Sequence, residues 1–327
     1  MQDLFCLESF SDDSLSELFL PTYLPPLHVS SSPDPSLSLD PRVIANMLGQ
    51  EEPCSKADYF STVQRELRPH MRRIVTDWML EVCEDQEAGP EVFLLAVHYL
   101  DTFLSTTAIS KSQFQLVAAT CLLLASKFSA VVAISALQLV LYTDHSVTVE
   151  ELVQWEQQVL NSLQWQLSTP TSNSFLEQLV ARLPSLASLP APHLARLQDH
   201  ARTLTTIAST EYSLLLAPRS IMAGAALTAA HSGLGLPASD ILATQVAELL
   251  GCPRDQVVRS TTALESILRP AARTVKDYSV SLPTFNTLPK QHSGQESNTP
   301  TNFPNLFAGQ GNTTPTNITE VLSAIAA

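Results

Sequence analysis

Residues 115–128 read QLVAATCLLLASKF, and residues 220–233 read SIMAGAALTAAHSG. From Leu116 to Ala125 the first stretch is apolar at nearly every position, so no helical register leaves it a polar face. Such a helix is stable only where other elements cover it on all sides. The second stretch is built largely from Ala, Gly and Ser, and small side chains let neighbours approach a central helix closely. Two buried helices so far apart in one chain predict two successive bundles, each wrapped on its own central helix.

The segments around each core helix carry helical periodicity and little that reads as strand. In residues 68–89, Met71, Ile74, Val75, Trp78, Met79 and Val82 recur at three- and four-residue spacing, and Gly89 with Pro90 closes the segment. A second helix runs from Pro90 through Val92, Phe93, Ala96, Val97, Leu100 and Leu104. The core helix opens at Ser110, where Gln113 completes a capping box. A short fourth helix covers about 135–142. The fifth opens on a second capping box, Thr148 with Glu151, and is predicted to reach Leu167. After Thr169 and Pro170 the scheme repeats, with helices at 172–183, 191–214, 218–232, 239–250 and 254–268. The breaks fall at Pro184, Pro190, Pro218, Gly233, Pro237 and Gly251.

The predicted fold is all-α: two tandem five-helix bundles between a disordered N-terminal arm and a disordered C-terminal tail. The boundaries read as 1–38 for the arm, 39–169 for the first bundle with a preceding helix, 170–275 for the second and 276–327 for the tail. The arm is rich in Ser, Pro, Asp and Leu, with SSPDPS at 31–36. The tail is dominated by Ser, Thr, Asn, Pro and Gln, a composition that cannot bury a core.

A net charge of −14 argues against nucleic acid or an anionic membrane as the main partner. Nine glycines leave little from which to build phosphate-cradling loops, and neither the P-loop nor the dinucleotide fingerprint is present. Five scattered cysteines, with no C-x-x-C pair, read as reduced thiols of a cytosolic or nuclear protein. Asp3 and Glu8 stand where a signal peptide needs a basic and then an apolar stretch, so the sequons at Asn312 and Asn317 are expected to be silent. No run reaches the roughly 20 apolar residues of a membrane span. Hydrolase, zinc-protease and kinase signatures are missing from the sequence. The eight histidines include no pair spaced to bind metal on one helix face, and His98 and His231 read as packed or surface residues. The expectation is no catalytic centre, no metal and no cofactor.

Three features point instead to binding. Lys127 is the only charged residue between Lys111 and Asp144, at the end of the most buried helix. A cation there suits the helix dipole or snorkels to water. Yet Glu156, on a neighbouring helix, shares a face with Leu152, Val153, Val159, Leu160 and Leu163. Two opposite charges, each displaced towards apolar surroundings, predict a paired site that can also meet a partner. Second, Met79 and Val82 are rotated away from Met71, Ile74, Val75 and Trp78, a wider apolar arc than one packing face needs. Bordered by Glu81, it suits a groove for a short peptide bearing a cation and a leucine; the other reading is plain core. Third, Leu4, Cys6 and Glu8 in LFCLE lie on one face of an extended segment. That spacing fits a strand adding to another protein's sheet edge or groove.

The blocks MRRIVTDWMLEVCEDQ, VHYLDTFLS and QLVAATCLLLASKF resemble the first cyclin box of a D-type (G1) cyclin. The similarity continues through YTDHSVTVEELVQWEQQVLNSLQWQLSTPT and covers most of 40–270. It implies two tandem cyclin boxes that bind and activate a G1 cyclin-dependent kinase and direct it to retinoblastoma-family proteins. By the same resemblance Lys127 and Glu156 contact the kinase's movable αC helix. Met71, Ile74, Val75, Trp78, Glu81 and Gln115 would form the docking patch for inhibitors and substrates with Arg-x-Leu-type motifs. Leu4, Cys6 and Glu8 match the family's LxCxE element. Thr314 resembles the tail threonine whose phosphorylation drives export from nucleus to cytoplasm and turnover by a ubiquitin ligase, with Thr299 as its rival. The family usually places acidic residues after the lysine, where this chain has Ser129, Ala130 and Val131, and an arginine where it has Thr102. The alternative is a cyclin-box adaptor or transcriptional cofactor that does not activate a kinase.

Overall fold

The computed structural model describes residues 39–51, 58–237 and 239–280, with side chains as far as 268. Every regular element among them is helical. In chain order they are α1 (Pro41–Gln50), α2 (Tyr59–Thr62), α3 (Pro69–Asp85), α4 (Pro90–Thr106), α5 (Phe114–Ser129), α6 (Ala136–Tyr142) and α7 (Val149–Ser162). The second half continues with α8 (Ser172–Arg182), α9 (Pro184–Ala187), α10 (Ala191–Thr210), α11 (Arg219–Gly233), α12 (Ser239–Leu250) and α13 (Arg254–Val280). Short 3-10 turns sit at Lys111–Gln113 and Tyr212–Leu214.

Local sequence starts these helices. Pro69 and Pro90 stand in the first turns of α3 and α4, where a missing N–H costs nothing. The Ser110–Gln113 and Thr148–Glu151 capping boxes form as the sequence predicts, and Ser135 with Gln138 adds another. The C-terminal ends were less legible. The fifth helix stops at Ser162 rather than Leu167, because Gln164 and Trp165 turn into left-handed backbone at φ 52° and 60°. Conversely, α13 runs on to Val280, well beyond 268.

The two apolar stretches become the two centres. α5 packs on α3, α4 and α7, and its residues from Leu116 to Ser126 are buried without interruption. α11 packs on α8, α10, α12 and α13, buried from Ser220 to His231. Its closest approach is at Gly224, where an added Cβ would lie 2.5 Å from Val246 Cγ1 on α12. Two apolar cores result: one spans Tyr59 to Leu163, the other Phe175 to Leu268. α1 precedes the first bundle in sequence, but Ile44, Met47 and Leu48 pack it on the second core.

Polar contacts lock the halves together. Arg72 on α3 is fully buried and forms a two-pronged pair with Asp101 on α4, Nε to Oδ1 and Nη2 to Oδ2 both 2.8 Å. Its other N–H groups donate to the carbonyls of Ser209 and Thr210 at 2.9 Å, in the last turn of α10. Those carbonyls have no intrahelical partner, and a cation suits that end of the dipole. Tyr59 donates to the same Asp101 at 2.9 Å. Within the second half, Glu51 at the end of α1 accepts from the backbone N–H of Ser220 at 2.8 Å, at the start of α11. Glu91 on α4 accepts from Thr171 Oγ1, at the start of α8, at 2.8 Å.

Candidate functional site

The first bundle presents two surfaces made of residues singled out in the sequence. Lys127 lies in the last turn of α5, and Glu156 lies midway along α7. Leu152, Val159 and Leu163 point into the core and seat α7 against α5. That packing leaves Glu156 at the edge of the apolar stripe, within reach of the lysine. Lys127 Nζ donates to Glu156 Oε1 at 3.0 Å and to Oε2 at 3.3 Å. The lysine side chain is 41% exposed and the glutamate 17%, so the pair faces solvent with its acidic member tucked in. An ion pair this open contributes about 0–1 kcal/mol to folding. The fold depends little on it.

Several apolar side chains stand exposed at the end of α5, on the α5–α6 loop and on α7. Phe128 is 47% exposed, Val131 101%, Val132 83% and Val153 55%. The α5–α6 loop that displays the valines is anchored, because Ile134 is buried and its N–H bonds Ser126 Oγ at 3.2 Å.

The second surface lies on α3, whose wide apolar arc resolves into two stripes. Arg72, Thr76, Met79, Val82 and Cys83 are buried and form its inner face. Met71, Val75 and Trp78 are half-buried along the adjacent edge, and Ile74 is 65% exposed. Trp78 is held in place by its indole N–H, which donates to the Tyr142 carbonyl at 3.3 Å. Glu81 is exposed on the same helix. Gln115 is half-buried at the start of α5, a helix packed against α3. The result is a shallow apolar edge with a carboxylate beside it. Leu4, Cys6, Glu8, Thr299 and Thr314 lie outside the described residues.

Sequence reading passed over Arg72 and Asp101. The signal was there: Arg72, Thr76, Met79 and Cys83 follow the helical repeat of the inner face, which places a guanidinium in the core. Asp101 likewise stands among Leu100, Phe103 and Leu104. Cysteine chemistry contributes nothing here. Burial pushes the Cys83 thiol up to about 12 and Cys121 higher still, so both stay protonated. Among the described residues no His, Cys, Asp or Glu cluster could hold a metal, and no helix is long and apolar enough to cross a membrane.

Residues 42–168 match the family model described as "Cyclin, N-terminal domain". The chain is 37% identical to the human "G1/S-specific cyclin-D3" over 274 residues, covering 83% of this chain and 91% of that one. It is 36% identical to the Xenopus laevis "G1/S-specific cyclin-D2" over 250 residues, 74% of this chain and 84% of that one. Among solved structures, a viral cyclin from herpesvirus saimiri shares the fold with a TM-score of 0.61 and 22% identity, over 68% of this chain and 95% of that one.

Proposed function

The chain belongs to the D-type cyclins, regulatory subunits of cyclin-dependent kinases and not enzymes themselves, and from that premise we propose that it activates a G1 cyclin-dependent kinase, targets it to retinoblastoma-family proteins and promotes the G1/S transition. The observation that carries this reading is the Lys127–Glu156 pair, solvent-facing and dispensable for the core. A subunit without catalytic residues acts on phosphoryl transfer by holding the kinase's αC helix where the kinase's own lysine–glutamate pair closes. Lys127 and Glu156, one on each of two rigidly packed helices, are placed to grip such a helix by both signs of charge.

The remaining roles follow the same reading. The edge formed by Met71, Ile74, Val75 and Trp78, with Glu81 and Gln115, receives the leucine and arginine of Arg-x-Leu-type motifs in substrates and inhibitors. Leu4, Cys6 and Glu8 recruit the retinoblastoma protein as an added strand. Phosphorylation of Thr314, or of its rival Thr299, moves the protein from nucleus to cytoplasm and marks it for a ubiquitin ligase.

Reconstitution tests the main clause. Purified with G1 cyclin-dependent kinases under activating phosphorylation, the chain is expected to yield retinoblastoma-directed kinase activity, and Lys127→Glu to abolish it without lowering the melting temperature. A complex that forms and stays inactive would instead support the non-activating adaptor.

A further inference from the structure

A cavity of about 100 Å³ lies in the seam between α3 and α4 of the first bundle and α8, α10 and α11 of the second. The buried Arg72–Asp101 pair lies at its deep end, and the half-buried Glu51, His98 and Arg219 stand nearer solvent. Its carboxylates have acceptor capacity to spare, since an ionised carboxylate offers about four lone-pair sites. Among the described residues Asp101 Oδ2 takes one bond, from Arg72 Nη2 at 2.8 Å. Glu51 Oε1 and Oε2 likewise take one each, from the N–H and the hydroxyl of Ser220. The cations are already engaged: Arg72 donates to Asp101 and to the Ser209 and Thr210 carbonyls, and Arg219 Nη1 to Thr169 Oγ1 at 2.8 Å. Ser172 differs. It lines the cavity at 6% exposure, and its hydroxyl has no protein partner among the described residues. It is also the first residue of α8, so its backbone N–H has no intrahelical acceptor. Leu94, Val97 and Met222 give the cavity an apolar wall.

We infer that this cavity binds a small uncharged amide, a lactam or carboxamide. Its carbonyl accepts from the Ser172 hydroxyl, and its N–H donates to a spare carboxylate oxygen of Asp101 or Glu51. Size sets the first limit. An apolar cavity of about 150 Å³ takes benzene, so this one takes a body of about six heavy atoms. Charge sets the second. Apart from His98, two guanidinium groups balance two carboxylates in the lining, so a buried ionic ligand would lose its water and find no net counter-charge. Hydrogen bonding sets the third. A hydrocarbon would cover the Ser172 hydroxyl and leave it unpaired, whereas an amide satisfies it and uses the spare acceptors as well. Because both bundles line the cavity, an occupant ties one to the other and stabilises the seam by mass action. The site lies apart from the Lys127–Glu156 surface and does not depend on the kinase reading.

The test titrates the full chain with three rings of nearly equal size: the lactam pyrrolidinone, the ketone cyclopentanone and the protonated amine pyrrolidine. Ligand-observed NMR and the melting temperature are the readouts. Pyrrolidinone is expected to bind with a dissociation constant of about 1 mM, the scale for a ligand of so few atoms. It should also raise the melting temperature, as a ligand of the folded state does. Cyclopentanone lacks the N–H, and pyrrolidine exchanges the carbonyl for a charge. Each is expected to bind at least about tenfold more weakly, the cost of a buried polar group left without its partner. Ser172→Ala is expected to bind pyrrolidinone about five- to tenfold more weakly, the loss of one hydrogen bond. The ring series uses the unaltered chain, so it decides the ligand class even if Ser172→Ala folds poorly. Equal binding by all three rings overturns the amide reading. No binding of pyrrolidinone at about twentyfold above the expected constant overturns it too, and wild-type affinity in a folded Ser172→Ala removes the ligand from this cavity.

Discussion

Arg72 is where single residues matter most. Its charge is taken wholly out of water, which opposes ionisation, and the Asp101 carboxylate more than offsets this, holding the guanidinium protonated. Removing one partner leaves the other buried and unpaired. Arg72→Ala or Asp101→Ala is therefore expected to cost about 3–5 kcal/mol in urea unfolding, while a paired apolar replacement such as Arg72→Met/Asp101→Leu recovers much of that loss. Gly224 gives the opposite lesson. On propensity alone, Gly224→Ala should gain up to about 1 kcal/mol in a helix. Here the new methyl meets Val246 Cγ1 at 2.5 Å, and Val246 is itself fully buried and stiff about its own side chain. The substitution is expected to destabilise by about 1–3 kcal/mol, with Val246→Ala in the same chain relieving it. Neither site shows its cost in one-dimensional sequence, since each depends on a neighbour far along the chain.

At the scale of elements, α3 separates core from surface with almost identical residue types. Met79 is fully buried and Ile74 is 65% exposed, although both are large and apolar. Met79→Ala is expected to cost about 2–5 kcal/mol. Ile74→Ala should fall within about 0.5 kcal/mol of wild type in the same denaturation series, while weakening an Arg-x-Leu-type peptide in a binding titration. A loss of stability at Ile74 equal to that at Met79 would return the whole arc to the core. The existence of the longer helices was legible, because the 3.6-residue repeat and the caps are local, whereas the one-turn α2 and α9 are too short to show that repeat. The end of α7 was not, since Leu163 and Leu167 continue the apolar repeat beyond the point where Gln164 and Trp165 break it. The pairing of Lys127 with Glu156 was legible as an anomaly in two separate stripes. The exposed valines of the α5–α6 loop were legible only as missing charge, and their exposure needed the loop in place.

For the molecule as a whole, the second bundle carries its own pH dependence. Burial holds His200 on α10 and His231 on α11 below the ordinary imidazole value, with Arg196 adding to the effect at His200. His231 Nδ1 is engaged with Ser239 Oγ at 3.0 Å, while His200 Nε2 has no partner. A depressed folded value means that the unfolded chain takes up the proton first. The stabilisation is full above the unfolded pKa of about 6.5 and drains as the pH falls towards the folded values. Thermal melts from pH 7.5 down to about 5 should show a falling midpoint. His231→Asn and His200→Gln should each flatten that slope, and an unchanged slope in both would assign the acid sensitivity elsewhere. The bundles also share Arg72 and Glu91 as links, so a loss in one is felt by the other.

Periodicity, caps and the absence of a polar face are local properties of the chain, and they were enough to set out two all-helical bundles around two unbroken apolar helices. The sequence also marked Lys127 and Glu156 as charges out of place. Packing alone settles that α1 belongs to the second core, that Arg72 and Asp101 tie the halves together, and that Met79 is core while Ile74 is surface. Each of these rests on which residues distant in sequence come within a few ångströms of one another. The apolar content of a segment does not encode that; the packing of one helix on the next does.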